Sequence, residues 1–279
     1  MSDSPEEMGD ALTRIASALE RLTPLQPEPV DWTSAPAFVF GKRQIRAVDP
    51  LDAPKLDLLR GIDEQKERVV ANVMRLAQGF AAHDMLLWGA RGMGKSALLR
   101  SAVAAAQASH PGGIALAQVT HEALPDLTGL FSVLGEQQRH FLVFIDDLGF
   151  EDVDGSGPRQ LRSWLEGGVE ARPANVRLAV TSNRRAIVAR HLSEQDDPVN
   201  PRDAVDDKLA LADRFGMSVG FHNCSQDDYL EIIGAYANDY ALDWDRDDAL
   251  EWSRRRGGRS GRVAWQYVVE LAGRAGRSL

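Results

Sequence analysis

The sequence predicts an α/β protein, with a parallel sheet flanked by helices and a small all-helical C-terminal end. Three observations carry this. Strand-like runs at 85–88, 114–119, 141–145 and 176–181 alternate with segments of helical periodicity, and such alternation implies a parallel sheet covered on both faces. The run Phe141–Ile145 is apolar throughout, as a strand buried on both faces requires. After about residue 222 the strand-like runs stop, and 226–239, 246–255 and 260–273 all read as helices.

Composition narrows the classes. The chain has 279 residues, 44% hydrophobic and 26% charged, which is globular and long enough for a full core. Lys+Arg is 32 against Asp+Glu 41, a net charge of −9. Phosphate-gripping proteins usually show the opposite balance, so nucleic acid is not the default partner, although a local basic face stays open. The single cysteine, Cys224, excludes an intrachain disulfide and a C-x-x-C zinc pair and fits a reducing cytoplasm. Residues 1–10 are acidic and lack the apolar region of a signal peptide. No run approaches the ~18 apolar residues of a membrane span, so a cytoplasmic location without membrane contact is expected.

Residues 1–23 read as an amphipathic helix. Ser4, Pro5 and Glu7 make a capping start, and Met8, Leu12, Ile15, Leu19 and Leu22 form a heptad seam. Docking on its own domain or a neighbour is the expectation, with oligomerisation as the alternative. Pro24, Pro27, Pro29 and Pro36 mark 24–54 as a semi-extended linker and irregular approach, and 37–60 resists assignment. A nucleotide-binding α/β domain is expected over 55–221 and a helical lid over 222–279. Within the first, a helix spans about 64–78, with Val69, Val70, Val73 and Leu76 on its apolar face. A second covers about 95–108. Leu127, Leu130, Phe131 and Leu134 have helical spacing, and a further helix falls near 158–166.

The stretch Gly89-Ala90-Arg91-Gly92-Met93-Gly94-Lys95-Ser96 fits G-x-x-x-x-G-K-[ST], the Walker A pattern of P-loop NTPases. The glycines let backbone N–H groups turn inward to cradle phosphate oxygens, and the following helix, with Ala97 in its first turn, points its positive end there. Lys95 then reaches the β and γ phosphates, and Ser96 ligates magnesium. An apolar strand before and a helix after supply the context the motif needs. ATP and Mg2+ are the expected cofactors.

Phe141–Ile145 ends in Asp146-Asp147, the Walker B layout. Ligands sit at the carboxyl ends of strands in doubly wound sheets, so Asp146 is the expected magnesium ligand, directly or through water. Asp147 is the candidate base for the attacking water, with Glu151 as its rival. The next apolar strand ends in Thr181-Ser182-Asn183-Arg184-Arg185.

A phosphate loop, an acidic strand and then a strand ending in Asn resemble the layout of AAA+ ATPases. That resemblance implies a P-loop NTPase fold of AAA+ type in which Asn183 is sensor 1, sensing the γ-phosphate and orienting water. Leu211-Ala212-Asp213-Arg214-Phe215-Gly216 looks like the segment that carries an arginine finger, which completes a neighbour's site. Arg214 is the choice, with Arg184, Arg185 and Arg172 as rivals. Gly258–Val263 looks like sensor 2, with Arg262 favoured over Arg259. Gly61 and Ile62 fall where the family lines its adenine pocket.

From about 55 to 270 the sequence resembles one bacterial AAA+ family filed as a domain of unknown function. LLWGARGMGKSALL, FLVFIDDLGFE, LEGGVEARPANV, TSNRR, DRFG, FHNCSQDDYL and GRSGRVAWQ carry the likeness. One departure stands out: the second acidic residue is usually Glu in the superfamily and is Asp147 here, one methylene shorter.

The expected function is an ATPase that binds and hydrolyses Mg-ATP, shared between subunits through self-association, and drives change in a protein partner that the sequence does not name. The alternative is an ATP-gated binding or loader module, similar to helicase loaders, with slow or no hydrolysis. Arg254 to Arg262, with Arg274 and Arg277, form a basic cluster that could touch DNA in that version. A GTPase is disfavoured because D-x-x-G at Asp146–Gly149 lacks any N-K-x-D partner. His222, Asn223 and Cys224 read as structural, and Trp244, Trp252 and Trp265 as core anchors.

Overall fold

Seven strands and six helices are formed by the residues that the computed structural model describes, which are 30–42, 44–148, 165, 173–183 and 214–279. The strands are β1 (Ala37–Phe40), β2 (Ile45–Val48), β3 (Met85–Gly89), β4 (Ile114–Val119), β5 (His140–Ile145), β6 (Val176–Ser182) and β7 (Met217–Phe221). The helices are α1 (Asp63–Ala77), α2 (Lys95–Ser109), α3 (Leu127–Gly135), α4 (Gln226–Asp239), α5 (Arg246–Arg255) and α6 (Gly261–Arg274). Met1–Asp31 and Trp32–Leu279 are separate units, and the account below concerns the second. The expected helices at 1–23 and near 158–166, together with Glu151, Arg172, Arg184 and Arg185, lie outside the described residues, Leu165 excepted.

All seven strands join one sheet in the order β2-β1-β4-β5-β6-β3-β7. The pairs β1–β4, β4–β5, β5–β6, β6–β3 and β3–β7 are parallel, and only the β1–β2 hairpin is antiparallel. Met85, Leu86, Leu87, Phe141, Leu142, Val143 and Ile145 have no exposed surface, which explains why β3 and β5 read as continuous apolar runs. Val69, Val73 and Leu76 on α1 and Leu98, Leu99 and Ala102 on α2 close the same core, and the two helices pack on each other.

Local signals set the helix starts. Asp63 and Glu64 occupy the first turn of α1, where carboxylates complement the helix dipole. Ser225 and Asp228 form a reciprocal capping box on α4. Asp245 caps α5 through the N–H groups of Asp247 and Asp248, and Ser260 caps α6 through that of Val263. The three C-terminal helices fall where the periodicity placed them, within a residue at each end.

Two parts of the sheet were not legible. The segment 24–54, read as linker and irregular approach, holds β1 and β2 at one sheet edge. Trp32 is only 4% exposed, and its ring lies 4.8 Å from Phe38 and 5.7 Å from Phe141. Arg139 donates to the carbonyls of Trp32, Ala35 and Ile114. Buried aromatic surface and a guanidinium clamp outweigh the proline content here. β7, Met-Ser-Val-Gly-Phe, does alternate, with Val219 and Phe221 buried and Ser218 exposed, but over only five residues and with Gly220 inside, which weakens a strand signal.

Candidate active site

The carboxyl ends of β3, β5 and β6 converge on one cleft of ≈ 820 Å³, walled on the far side by α4 and α6. β3 ends at Gly89, whose φ of +123° suits only glycine; a Cβ there would fall 2.1 Å from the Phe221 carbonyl oxygen. The close approach of β7 lets Ala90 N–H donate to that oxygen at 3.0 Å. The loop then passes Gly92 and Gly94 and enters α2 at Lys95, with Gly94 in the left-handed conformation at the N-cap. Met93 is buried, while Arg91 is exposed.

Lys95 is only 5% exposed. Its ammonium donates to the Gly89 carbonyl at 3.0 Å, the Ala90 carbonyl at 2.8 Å and Asn183 Oδ1 at 2.9 Å. Burial lowers its pKa, against the pull of Asp147 and Asp146. A buried ammonium satisfied by neutral carbonyls is poised to exchange them for anionic oxygens, which pair with it more strongly.

Ser96 Oγ donates to Asp146 Oδ1 at 2.6 Å, and Thr181 Oγ1 donates to the same oxygen at 2.6 Å. The Asn183 amide donates to Asp147 Oδ1. Asp147 is exposed to the cleft side, with φ of 52°. The left-handed region costs a non-glycine residue about 1–2 kcal/mol, though Asp tolerates it better than most. The Ser96 hydroxyl and Asp146 carboxylate are hard oxygen donors converging on one point, the chemistry that suits magnesium.

The C-terminal helices pack against this loop. Arg262 N–H donates to the Gly92 carbonyl at 3.1 Å, so the first turn of α6 rests on the phosphate loop. Arg262, Gly92, Met93, Gly94, Ser96 and Ala97 all line the cleft, as does Ile62. Gly61 does not; it takes φ of +72° against Asp228 instead. Tyr236, Tyr240 and Trp265 add an aromatic wall, with Trp265 centred 4.9 Å from Tyr236 and 6.0 Å from Tyr240. Trp265 is thus both a packing residue and part of the cleft. Trp252 packs on Tyr267 and carries the Arg256 guanidinium over its ring at 4.7 Å.

Arg214 is not brought to this cleft. It precedes β7, which runs parallel to β3 with Met217 opposite Met85 and Phe221 opposite Gly89. Arg214 therefore lies toward the amino ends of the strands, opposite the cleft and beyond the roughly 13 Å that five strand residues span. Within the basic cluster at the C-terminal end, Arg255 bonds Glu251, Arg274 bonds Asp248 and Glu270, and Arg277 donates to the Tyr240 and Ala241 carbonyls. Cys224 is buried and free, and no group of three metal-ligating side chains occurs among the described residues. Among them no helix is long and apolar enough to cross a membrane.

Thr181 and His121 were missed. His121 Nε2 lies 2.9 Å from the Asp146 carbonyl oxygen. Position two residues before Asn183 in a strand puts Thr181 on the same face, a signal that was present; His121 follows a loop and offered none.

Strand order, loop and acidic strand together define an α/β fold in which a glycine-rich loop and two aspartates meet at the carboxyl ends of a parallel sheet. Solved structures agree on the fold. RuvB of Thermotoga maritima, titled a Holliday junction branch migration motor, aligns with a TM-score of 0.52 and 16% identity, over 81% of this chain and 68% of that one. Orc1 of Aeropyrum pernix, solved in complex with DNA, aligns with a TM-score of 0.55 and 17% identity, over 79% of this chain and 65% of that one. The chain belongs to the family described as "Protein of unknown function (DUF815)", whose model matches residues 33–275. A search of curated proteins gives no significant match.

Proposed function

We propose that this protein is an ATPase that binds and hydrolyses Mg-ATP in the cleft between the sheet and the C-terminal helices. One observation supports it most: Lys95, Ser96, Asp146, Asp147 and Asn183, drawn from three chain segments, already bond one another across the ends of β3, β5 and β6. The phosphate loop backbone and Lys95 bind and orient the phosphates. Ser96 and Asp146 hold magnesium, which when bound supplies charge neutralisation at the phosphate oxygens. Asp147 accepts a proton from the attacking water, and Asn183 keeps that carboxylate aimed. Arg262 approaches the phosphates from the lid, and Ile62 contributes apolar contact to the base side of the cleft.

Arg214 lies away from its own cleft, so its place in this reading is in a neighbouring copy's site. Self-association then completes the catalytic set, and the cycle drives change in a protein partner.

The test compares wild type with Lys95→Ala. Expected are micromolar Mg-ATP binding and steady phosphate release in wild type, with both lost in the variant. Turnover no higher than that of Lys95→Ala overturns hydrolysis. Binding without turnover leaves the nucleotide-gated module, a reading that the short reach of Asp147 favours over its usual glutamate.

A further inference from the structure

The peptide unit between Asp146 and Asp147 is held from both sides. Its carbonyl oxygen lies 2.9 Å from His121 Nε2. Its N–H, that of Asp147, donates to Thr181 Oγ1 at 2.8 Å. His121 follows β4 and Thr181 lies in β6, the two strands that flank β5. The clamp thus reaches β5 from each neighbour, just past its last residue. A second backbone bond, Leu148 N–H to the Thr181 carbonyl at 2.9 Å, fixes the chain one residue further on.

The chemistry of each partner is determined. A carbonyl only accepts, so His121 Nε2 carries the proton in this bond. The Thr181 hydroxyl has one proton, which it gives to Asp146 Oδ1; its lone pair receives Asp147 N–H. Between the two clamped ends sits Asp147 at φ 52°. That conformation is sterically disfavoured for any residue with a Cβ, and such outliers persist where their surroundings over-determine them. A change of φ at Asp147, a rotation about its N–Cα bond with the peptide held, would carry its carboxylate away from Asn183.

We propose that His121 and Thr181 are positioning residues for Asp147: they lock the Asp146–Asp147 peptide plane and thereby aim the base. The inference rests on the ATPase reading above. His121 is the cleaner probe, because it is exposed and touches the backbone carbonyl rather than a carboxylate. Thr181 is 2% exposed and also touches Asp146.

The experiment uses the full chain with His121→Ala, His121→Gln, Thr181→Val and Thr181→Ser. It measures kcat and KM for phosphate release, the Kd for a fluorescent ATP analogue with magnesium, and the urea midpoint. His121→Ala is expected to lower kcat about tenfold while KM and Kd stay within about threefold, since a misaimed base costs the chemical step and not ground-state binding. Gln offers an N–H donor and recovers most of the loss. Thr181→Val lowers kcat further, and Thr181→Ser, which keeps the hydroxyl, restores it. The double variant His121→Ala/Thr181→Val loses less than the product of the two, because both act on one peptide plane.

Unchanged kcat in His121→Ala with wild-type turnover intact overturns the clamp alone. So does Ser at 181 performing no better than Val, or a kcat loss matched by an equal rise in Kd. Absence of turnover in the wild-type chain, with nucleotide still bound, removes the ATPase reading and the clamp's role with it.

Discussion

Gly89→Ala probes the junction of fold and site. Three costs add. Alanine at φ of +123° is strained by about 1–3 kcal/mol. Its Cβ would fall 2.1 Å from the Phe221 carbonyl oxygen, against a carbon–oxygen contact of roughly 3.3 Å, so β3 and β7 must part by about 1 Å. That repacking costs roughly 1–3 kcal/mol. It also breaks the Ala90 N–H bond to Phe221, about 1 kcal/mol net. The three together come to about 5 kcal/mol. Gly112→Ala is the control: its φ is +77°, yet no atom lies within 4 Å of the added Cβ, so it costs about 1 kcal/mol of backbone strain alone. With a urea m-value of about 3 kcal/mol/M for a chain of this size, the midpoint falls by about 1.7 M for Gly89→Ala and about 0.3 M for Gly112→Ala. Urea unfolding followed by far-UV circular dichroism, with m held constant across the series, reads this directly. Equal shifts for the two variants would refute the tight β3–β7 approach and, with it, the account of why the phosphate loop opens with a glycine.

Three further outcomes are expected. Phosphate release per chain rises with protein concentration, and Arg214→Ala abolishes that rise without weakening nucleotide binding; activity flat with concentration and indifferent to the substitution removes Arg214 from the catalytic set. Cys224 is pushed up to about 11, chiefly by burial and also by Asp228. Its thiolate population near pH 8 is then about a hundredfold below that of a thiol of pKa 9.0, and iodoacetamide modifies the native chain correspondingly slowly and the urea-unfolded chain fast. Because the folded-state pKa is raised, the neutral thiol's stabilisation is full below pH 9 and is lost as pH rises through about 11, so Cys224→Ala flattens the fall of the urea midpoint over that window. A native thiol that reacts at the unfolded rate contradicts the burial.

What the sequence determined on its own was whatever depends on neighbours along the chain. The spacing of Gly89, Gly94, Lys95 and Ser96 specifies a loop and a helix start, because loop conformation and helix dipole are local properties. The C-terminal helices could be placed from the sequence, and the buried strands β3 to β6 showed as strand-like runs. Tertiary structure decided the rest. Short strands β1, β2 and β7 take their stability from pairing with distant partners, as Trp32 does from Phe38 and Phe141, and no local pattern reports a partner. The insertion of β6 between β3 and β5 is what brings Thr181 and Asn183 to the two aspartates. The parallel course of β7 beside β3 is what carries Arg214 to the amino ends of the strands, away from the cleft. His121 reaches the Asp146 carbonyl across 25 residues only because β4 and β5 are hydrogen-bonded in register. Which residues can act together is a matter of strand order, and strand order is set by how the whole apolar surface is buried.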